Sequence, residues 1–478
     1  MSSQSRKVLG ATFFYSLGEI IPRILAFLLL PILTRYLSAE EYGINSYITS
    51  VMTFVFVIAA LSLNTYVLRN YFLESDDDAR KKLVGNIFAT ICLFNVVLLL
   101  IELLLIPLAL KTFDVKIPFY PFFLLGVVNN FFDVISIIPL VLYRVKGNTK
   151  GFFILSTSRI VFQYVLTYIL VVLFKQGLIG TFYARLLVNL PFGVLYFIII
   201  SRYAPIRFNY KRFRDALTFS LPLIPGSISY LIFSISDRII LERFVGLAEI
   251  GIYSVAVTIT LALNVVIQAL YKTIEPLLFK AYTTPDFLNV NAKMYKYYLL
   301  LVYTGGFGIS IFSKEIFHFV GSRAFQVGAN IVPAMVLSVI LSGVTLYLNT
   351  VLVAEGRQKI ISVAIVVSAI VSIMLNFLLI PHMGYYGAVV ASLLASLSSN
   401  IIAHSYARFP RKLLWQQFIL LAVIFLTPYL LVKYISLESI LAMIACKAII
   451  VILFAYIGLL LLDCNLKKDW QLNLFQKI

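Results

Sequence analysis

Apolar stretches of about 20 residues or more follow one another from Ala11 to Leu462, parted only by short polar turns. About fourteen can be marked out, near 11–33, 42–68, 83–110, 118–143, 151–174, 177–201, 215–238, 250–279, 297–320, 327–353, 360–380, 384–406, 413–432 and 439–462. A bilayer hydrocarbon core is about 30 Å thick and takes roughly 20 apolar residues to cross as a helix. Backbone N–H and C=O groups find no water there, so each stretch must satisfy its own hydrogen bonds as a helix. The spacing therefore predicts an all-α polytopic membrane protein with about 14 transmembrane helices. Little chain is left outside the bilayer to build a soluble active site.

The distribution of charge predicts an orientation. The chain carries 39 Lys and Arg against 21 Asp and Glu, a net +18, although only 13% of its residues are charged. With the N-terminus placed in the cytoplasm, the tails and loops on that side hold 25 cations and the opposite loops hold 9. Retained Lys and Arg mark the cytoplasmic side, so both termini are expected there, in a bacterial cytoplasmic (inner) membrane. The basic excess then reads as topology, with attraction to anionic membrane lipids as a secondary effect, and no nucleic acid is expected as a partner. Arg6 and Lys7 precede a long span with no small-residue cleavage site after it, which reads as a retained first helix. Cys92, Cys446 and Cys464 lie far apart without metal or disulfide spacing.

The chain also repeats itself. Arg35-Tyr36-Leu37-Ser38-Ala39-Glu40-Glu41-Tyr42-Gly43-Ile44-Asn45-Ser46 matches Arg243-Phe244-Val245-Gly246-Leu247-Ala248-Glu249-Ile250-Gly251-Ile252-Tyr253-Ser254 at an offset of 208. Gly147-x-x-Lys150 matches Gly356-x-x-Lys359 at 209, and Gly177-x-x-Gly180-x-x-x-Ala184 matches Gly384-x-x-Gly387-x-x-x-Ala391 at 207. Six helices separate the copies, an even number, so both halves share one orientation. Parallel repeats of this kind are one of the two designs used by alternating-access transporters. The expected organisation is an N-terminal six-helix lobe over 1–203, a basic cytoplasmic linker over 204–214, a C-terminal six-helix lobe over 215–406, and an extra helix pair with a cytoplasmic tail over 407–478.

Phe219-Ser220-Leu221-Pro222-Leu223-Ile224-Pro225-Gly226, then Ser236-Asp237-Arg238 and Gly251-Ile252-Tyr253-Ser254, resemble the Wzx-type polysaccharide flippases. These belong to the multidrug/oligosaccharidyl-lipid/polysaccharide exporter superfamily. Leu33-Thr34-Arg35-Tyr36-Leu37 and Glu41-Tyr42-Gly43 are similar to that family's N-terminal helix pair. The resemblance implies a V-shaped pair of six-helix bundles around a cavity. It also implies a cargo: an undecaprenyl-pyrophosphate-linked oligosaccharide repeat unit moved from the inner to the outer leaflet, as in O-antigen and lipopolysaccharide biosynthesis. A polysaccharide polymerase and a chain-length regulator are the partners it suggests.

Charge inside a bilayer costs roughly 2.5–3.5 kcal/mol per residue on insertion scales, and so faces a partner or a wet cavity. Arg23, Arg159, Arg185 and Lys272 are the candidate pyrophosphate-binding residues, because guanidinium forks match phosphate oxygens. Pairing with acids is the competing account. Glu19 stands four residues before Arg23, Glu275 three after Lys272, and Asp133 is in reach of Arg159 or Arg185. Glu19, Asp133 and Glu275 are thus candidate charge partners, or carboxylates for a coupling H+ or Na+. Lys447 falls in the extra helix pair. At the repeat offset Arg23, Arg159 and Arg185 meet Leu231, Val367 and about Ser392, so the second copy lacks these charges. Pro222, Pro225 and Gly226 break the seventh stretch and are hinge candidates, with Asp237 and Arg238 placed as gating candidates at its outer end.

A membrane enzyme is the reading from another class. No nucleophile, metal spacing or phosphate loop supports it, His318, His382 and His404 stand singly, and the outward loops are short. A transporter without cofactor is expected. Nearer alternatives are a lipid II flippase of cell-wall synthesis and an ion-coupled multidrug exporter, whose cavity should be acidic rather than basic.

Overall fold

The computed structural model describes residues 21–22, 24–408, 412–434 and 440–464, and every regular element among them is helical. Eleven helices are long and apolar enough to cross a bilayer, or twelve when Phe287–Ile311 and Ser313–Val320, bent by 62°, count as one. Two further apolar helices, Ile24–Tyr36 and Trp415–Pro428, are shorter. The fourteen expected stretches thus all contain helix, but fewer than fourteen meet the length and hydropathy of a full crossing among the described residues. Glu19 and Arg23 lie outside the described residues.

The chain divides into two compact units. The first comprises the described residues up to Leu231 together with Val245–Gly251, and the second Ile232–Phe244 with the described residues from Ile252. Helix α1 (Ile24–Tyr36) leads into α2 (Ala39–Ala60) and the short α3 (Leu63–Asn70). There follow α4 (Asp77–Thr112), α5 (Leu124–Ile135), α6 (Ile137–Val145), α7 (Thr149–Tyr168), α8 (Gly177–Tyr203), α9 (Tyr210–Ser220) and α10 (Ile224–Phe244).

Local chemistry sets the ends of these helices. Ser38 and Glu41 form a reciprocal cap at the start of α2: Glu41 N–H donates to Ser38 Oγ at 3.1 Å and Ser38 N–H to Glu41 Oε2 at 2.9 Å. The other Glu41 oxygen accepts the Leu178 N–H at 3.2 Å, so one carboxylate serves the N-termini of both α2 and α8. The basic segment expected as a linker is docked in the first unit. Asn86 Nδ2 donates to Arg207 O at 3.2 Å, and Arg212 meets Glu74 at 2.8 Å. Pro222 falls in a single 3₁₀ turn, Leu221–Leu223, between α9 and α10. Helix α10 then runs on to Phe244, so Asp237 and Arg238 lie inside it rather than at its outer end, the expected boundary being about six residues early. No Gly or Pro interrupts the chain between Gly226 and Gly246, and the helix has nothing to stop it sooner.

The second unit holds most of α11 (Leu247–Tyr282), then α12 (Phe287–Ile311), α13 (Ser313–Val320), α14 (Val332–Ala354), α15 (Gln358–Met383), α16 (Tyr385–Tyr406), α17 (Lys412–Tyr434) and α18 (Ile440–Leu461). The extra pair α17 and α18 packs on α12. Gln417 donates to Tyr295 Oη at 2.7 Å, and Lys447 meets Glu315 at 2.5 Å, so this buried lysine has a partner on α13.

The backbone carries the repeat that the motifs announce. Gly147 and Gly356 both adopt left-handed φ, +65° and +71°, as do Gly177 and Gly384, at +57° and +56°. These turns fall at matching points of the two copies, where any L side chain would be strained. The first matched motif closes on its own second copy within the first unit. A Cβ on Gly43 would lie 1.8 Å from Leu247 O, and one on Gly251 1.9 Å from Ala39 O. The four positions form two pairs at the 208-residue offset, so the contact is reciprocal. Gly43→Val is therefore expected to force α2 and the start of α11 apart, at a cost above the roughly 1–3 kcal/mol of ordinary overpacking. A thermal-shift assay in detergent should show a melting temperature lowered by several degrees; an unchanged melting temperature would contradict the close contact.

Candidate functional site

The charged cluster of the first unit is assembled by three helices. Helix α5 presents Asn129 and Asp133, four residues apart and so on one face, and α8 presents Arg185 and Asn189 at the same spacing. Helix α7 contributes Arg159. The span containing α5 is the most buried of the first unit, which places Asp133 where a lone carboxylate would be costly.

Asp133 is satisfied by two cations at once. Arg159 donates through Nη1 to Asp133 Oδ1 at 2.5 Å, and Arg185 donates through Nη2 to Asp133 Oδ2. Asn189 extends the network: its Oδ1 accepts from Arg159 Nη1 at 3.1 Å, and its Nδ2 lies 3.3 Å from Asp133 Oδ1 and 3.2 Å from Asn129 Oδ1. Asn129 Nδ2 in turn donates to Phe182 O at 3.2 Å. The carboxylate lies deepest, its side chain 8% exposed, against 20% for Arg159 and 31% for Arg185.

The charges in this cluster do not cancel. Among the described residues two guanidinium groups share one carboxylate, a local excess of one positive charge. Each guanidinium has five N–H donors. Among the described residues, the hydrogen bonds occupy Nη1 of Arg159 and Nη2 of Arg185 and leave the remaining nitrogens unspent. A cationic group with donors left over among the described residues has the chemistry to meet an anion.

The pairing of Asp133 with Arg159 and Arg185 was readable in the sequence as an alternative to cavity lining. The two asparagines were missed, although the spacings Asn129-x-x-x-Asp133 and Arg185-x-x-x-Asn189 mark two polar helix faces within apolar spans. Lys272 and Glu275 belong to the second unit, on α11, where Glu275 accepts from Tyr271 Oη at 2.6 Å. Asp237 is buried in the second unit and accepts from the Tyr253 hydroxyl. Pro225 and Gly226 are exposed in the first turn of α10, and nothing lies within 4 Å of a Cβ placed on Gly226. No cluster of His, Cys, Asp and Glu suited to a metal occurs among the described residues.

The second copy shows what the first has added. At the offset of 209 set by Gly147 and Gly356, Asn129 and Asp133 correspond to Ser338 and Ser342; at the offset of 207 set by Gly177 and Gly384, Asn189 corresponds to Ser396. The Ser342 and Ser396 hydroxyls stand 3.5 Å apart, the counterpart of the Asp133–Asn189 contact. The packing position is kept and the charge is absent.

Comparison with known proteins agrees with this architecture. The family described as "Polysaccharide biosynthesis protein" matches residues 8–282, more than half of the chain. "Lsg locus putative protein 1" of Haemophilus influenzae is 24% identical over 281 residues, 58% of this chain and 67% of that protein. The "Probable low-salt glycan biosynthesis flippase Agl15" of Haloferax volcanii is 25% identical over 201 residues, 41% of this chain and 42% of that protein. Among solved structures, the "Lipid II flippase MurJ, inward closed conformation" superposes with a TM-score of 0.73 at 16% identity, covering 94% of this chain and 99% of that one. An inward-facing multidrug resistance MATE family transporter gives 0.65 at 13% identity, covering 83% and 97%. The chain belongs to the polysaccharide biosynthesis protein family, as a multi-pass membrane protein with the fold of these solved structures.

Proposed function

We propose that this protein is a flippase for a lipid-linked glycan and that its cargo is an undecaprenyl-pyrophosphate-linked oligosaccharide repeat unit. The cargo moves from the inner to the outer leaflet of a bacterial cytoplasmic membrane. The observation that carries this reading is the convergence of Arg159 and Arg185, with donors left over among the described residues, on the one buried carboxylate of Asp133. A pyrophosphate offers several oxygens to such forks, and charge-assisted bonds of this kind are strongest where water is scarce. The family's link to polysaccharide biosynthesis supports a glycan as the rest of the cargo.

Lipid II is the second reading, favoured by the extent of the match to the lipid II flippase fold. It carries the same polyprenyl pyrophosphate, so the arginine site serves both. Inactivating the gene in its own host separates them. Loss of surface polysaccharide with accumulation of a lipid-linked repeat unit supports the first reading, whereas arrest of peptidoglycan synthesis with accumulation of lipid II supports the second. A polymerase and a chain-length regulator are the partners proposed downstream. For energy, a coupling H+ or Na+ needs a carboxylate outside the Asp133 pairs; Glu102, buried on α4, is one such group.

A further inference from the structure

We propose that Asp133 is a built-in surrogate for the cargo's phosphate, so that its ion pairs and the cargo compete for Arg159 and Arg185. The inference rests on the pyrophosphate reading and deepens it. Arg159 and Arg185 come from different helices and share no hydrogen bond; what brings their guanidinium groups together is one carboxylate, taking a donor from each on separate oxygens. A carboxylate spanning two forks presents the oxygen pattern of an ionised phosphate, and it occupies donors that an arriving phosphate would also use. Asn189 is placed to follow an exchange. Its amide nitrogen already has acceptors on both Asn129 and Asp133, and its oxygen already holds Arg159. When phosphate takes the arginines, Asn189 remains as a donor to the displaced carboxylate. The second copy shows that packing at this position does not require charge, because serine fills it there.

The consequence is functional. With no cargo, Asp133 keeps two partly buried cations paired. With cargo bound, the carboxylate is left beside an anion, which lowers affinity and promotes release at the far leaflet. A flippase that held pyrophosphate with both forks and no competitor would bind tightly and turn over slowly. Asp133 is thus a positioning and release residue that acts through the arginines.

The test uses the full chain in nanodiscs, with farnesyl diphosphate as a short polyprenyl pyrophosphate probe, titrated calorimetrically. Asp133→Asn keeps the shape and one acceptor but removes the competing charge. It is expected to bind the probe at least tenfold more tightly than the unmodified protein while export of the cargo falls. A purely structural role for Asp133 gives the opposite sign, and equal or weaker binding by folded Asp133→Asn protein overturns the proposal. Arg159→Gln keeps the two failures apart. If it binds as well as the unmodified protein, or if the unmodified protein shows no saturable binding, the pyrophosphate reading itself is wrong. If it loses binding while Asp133→Asn does not gain, only the surrogate role is wrong. Should Asp133→Asn not fold, the unmodified protein labelled with ¹³C-aspartate is compared with and without probe by infrared difference spectroscopy. A shifted carboxylate band is expected as Asp133 loses its guanidinium partners, and an unchanged band overturns the proposal.

Discussion

Arg159→Gln and Arg185→Gln combined are expected to lower export of the lipid-linked cargo by about a hundredfold or more. A hydrogen bond to a charged group contributes roughly 1.5–3 kcal/mol, and two arginines acting on one pyrophosphate therefore account for about 3–6 kcal/mol. Since about 1.4 kcal/mol is a tenfold change in an equilibrium constant, the lower end already reaches a hundredfold. Lysine separates charge from geometry. Arg159→Lys with Arg185→Lys keeps Asp133 paired and the net charge unchanged, but an ammonium cannot form a planar fork. This variant is expected to fold normally and to export about tenfold less well than the unmodified protein. The measurement is transfer of a labelled lipid-linked oligosaccharide in proteoliposomes, normalised to protein inserted. Export at the unmodified rate in the glutamine pair would remove these arginines from the cargo site.

The second large effect is on stability. Asp133→Ala leaves two partly buried guanidinium groups without their carboxylate; breaking a fully buried pair costs about 3–5 kcal/mol, and the partial exposure of Arg159 and Arg185 lowers that cost here. A sharply lowered melting temperature and poor membrane accumulation are expected. Removing the whole charged set is expected to reverse much of that loss. With Asp133→Ser, Arg159→Val and Arg185→Ser together, the site takes on the character of the second copy and no charge is left stranded; replacing a buried ionic cluster by neutral side chains is often neutral or stabilising. The triple variant should accumulate close to the unmodified level, melt within a few degrees of it, and export nothing measurable. Recovery of stability without recovery of export would show that the charges are retained for cargo rather than for folding. A triple variant as unstable as Asp133→Ala would indicate that the network is needed for the fold itself.

Much of the architecture is legible in the residues because a bilayer leaves the chain few choices. Long apolar runs must be helices, and the motifs repeated at offsets of 207 to 209 announce a duplication that reappears in the paired glycine φ angles of Gly147 with Gly356 and Gly177 with Gly384. The charged candidates were equally visible, since an arginine within an apolar run stands out by its cost. The sequence could not choose between partner and lining for Arg159 and Arg185. Nor did it mark Asn129 and Asn189 as members of the same network, because an asparagine in a helix is only moderately unfavourable and carries no charge to draw the eye. Asp237 shows the same limit: its residue type suggested a gate at a helix end, and its environment is a buried contact with Tyr253 inside a longer helix.

What the sequence by itself determined is the list of segments, their helical state and the inventory of charges, because hydrocarbon thickness and backbone hydrogen bonding act on each segment separately. Which helix faces meet was decided only by the tertiary structure. Asp133, Arg159 and Arg185 lie on three helices up to 52 residues apart. One carboxylate comes to hold two arginines only when α5, α7 and α8 pack in a particular rotation. Side-chain shape and polarity summed over all the neighbours set that rotation, and no single segment contains it.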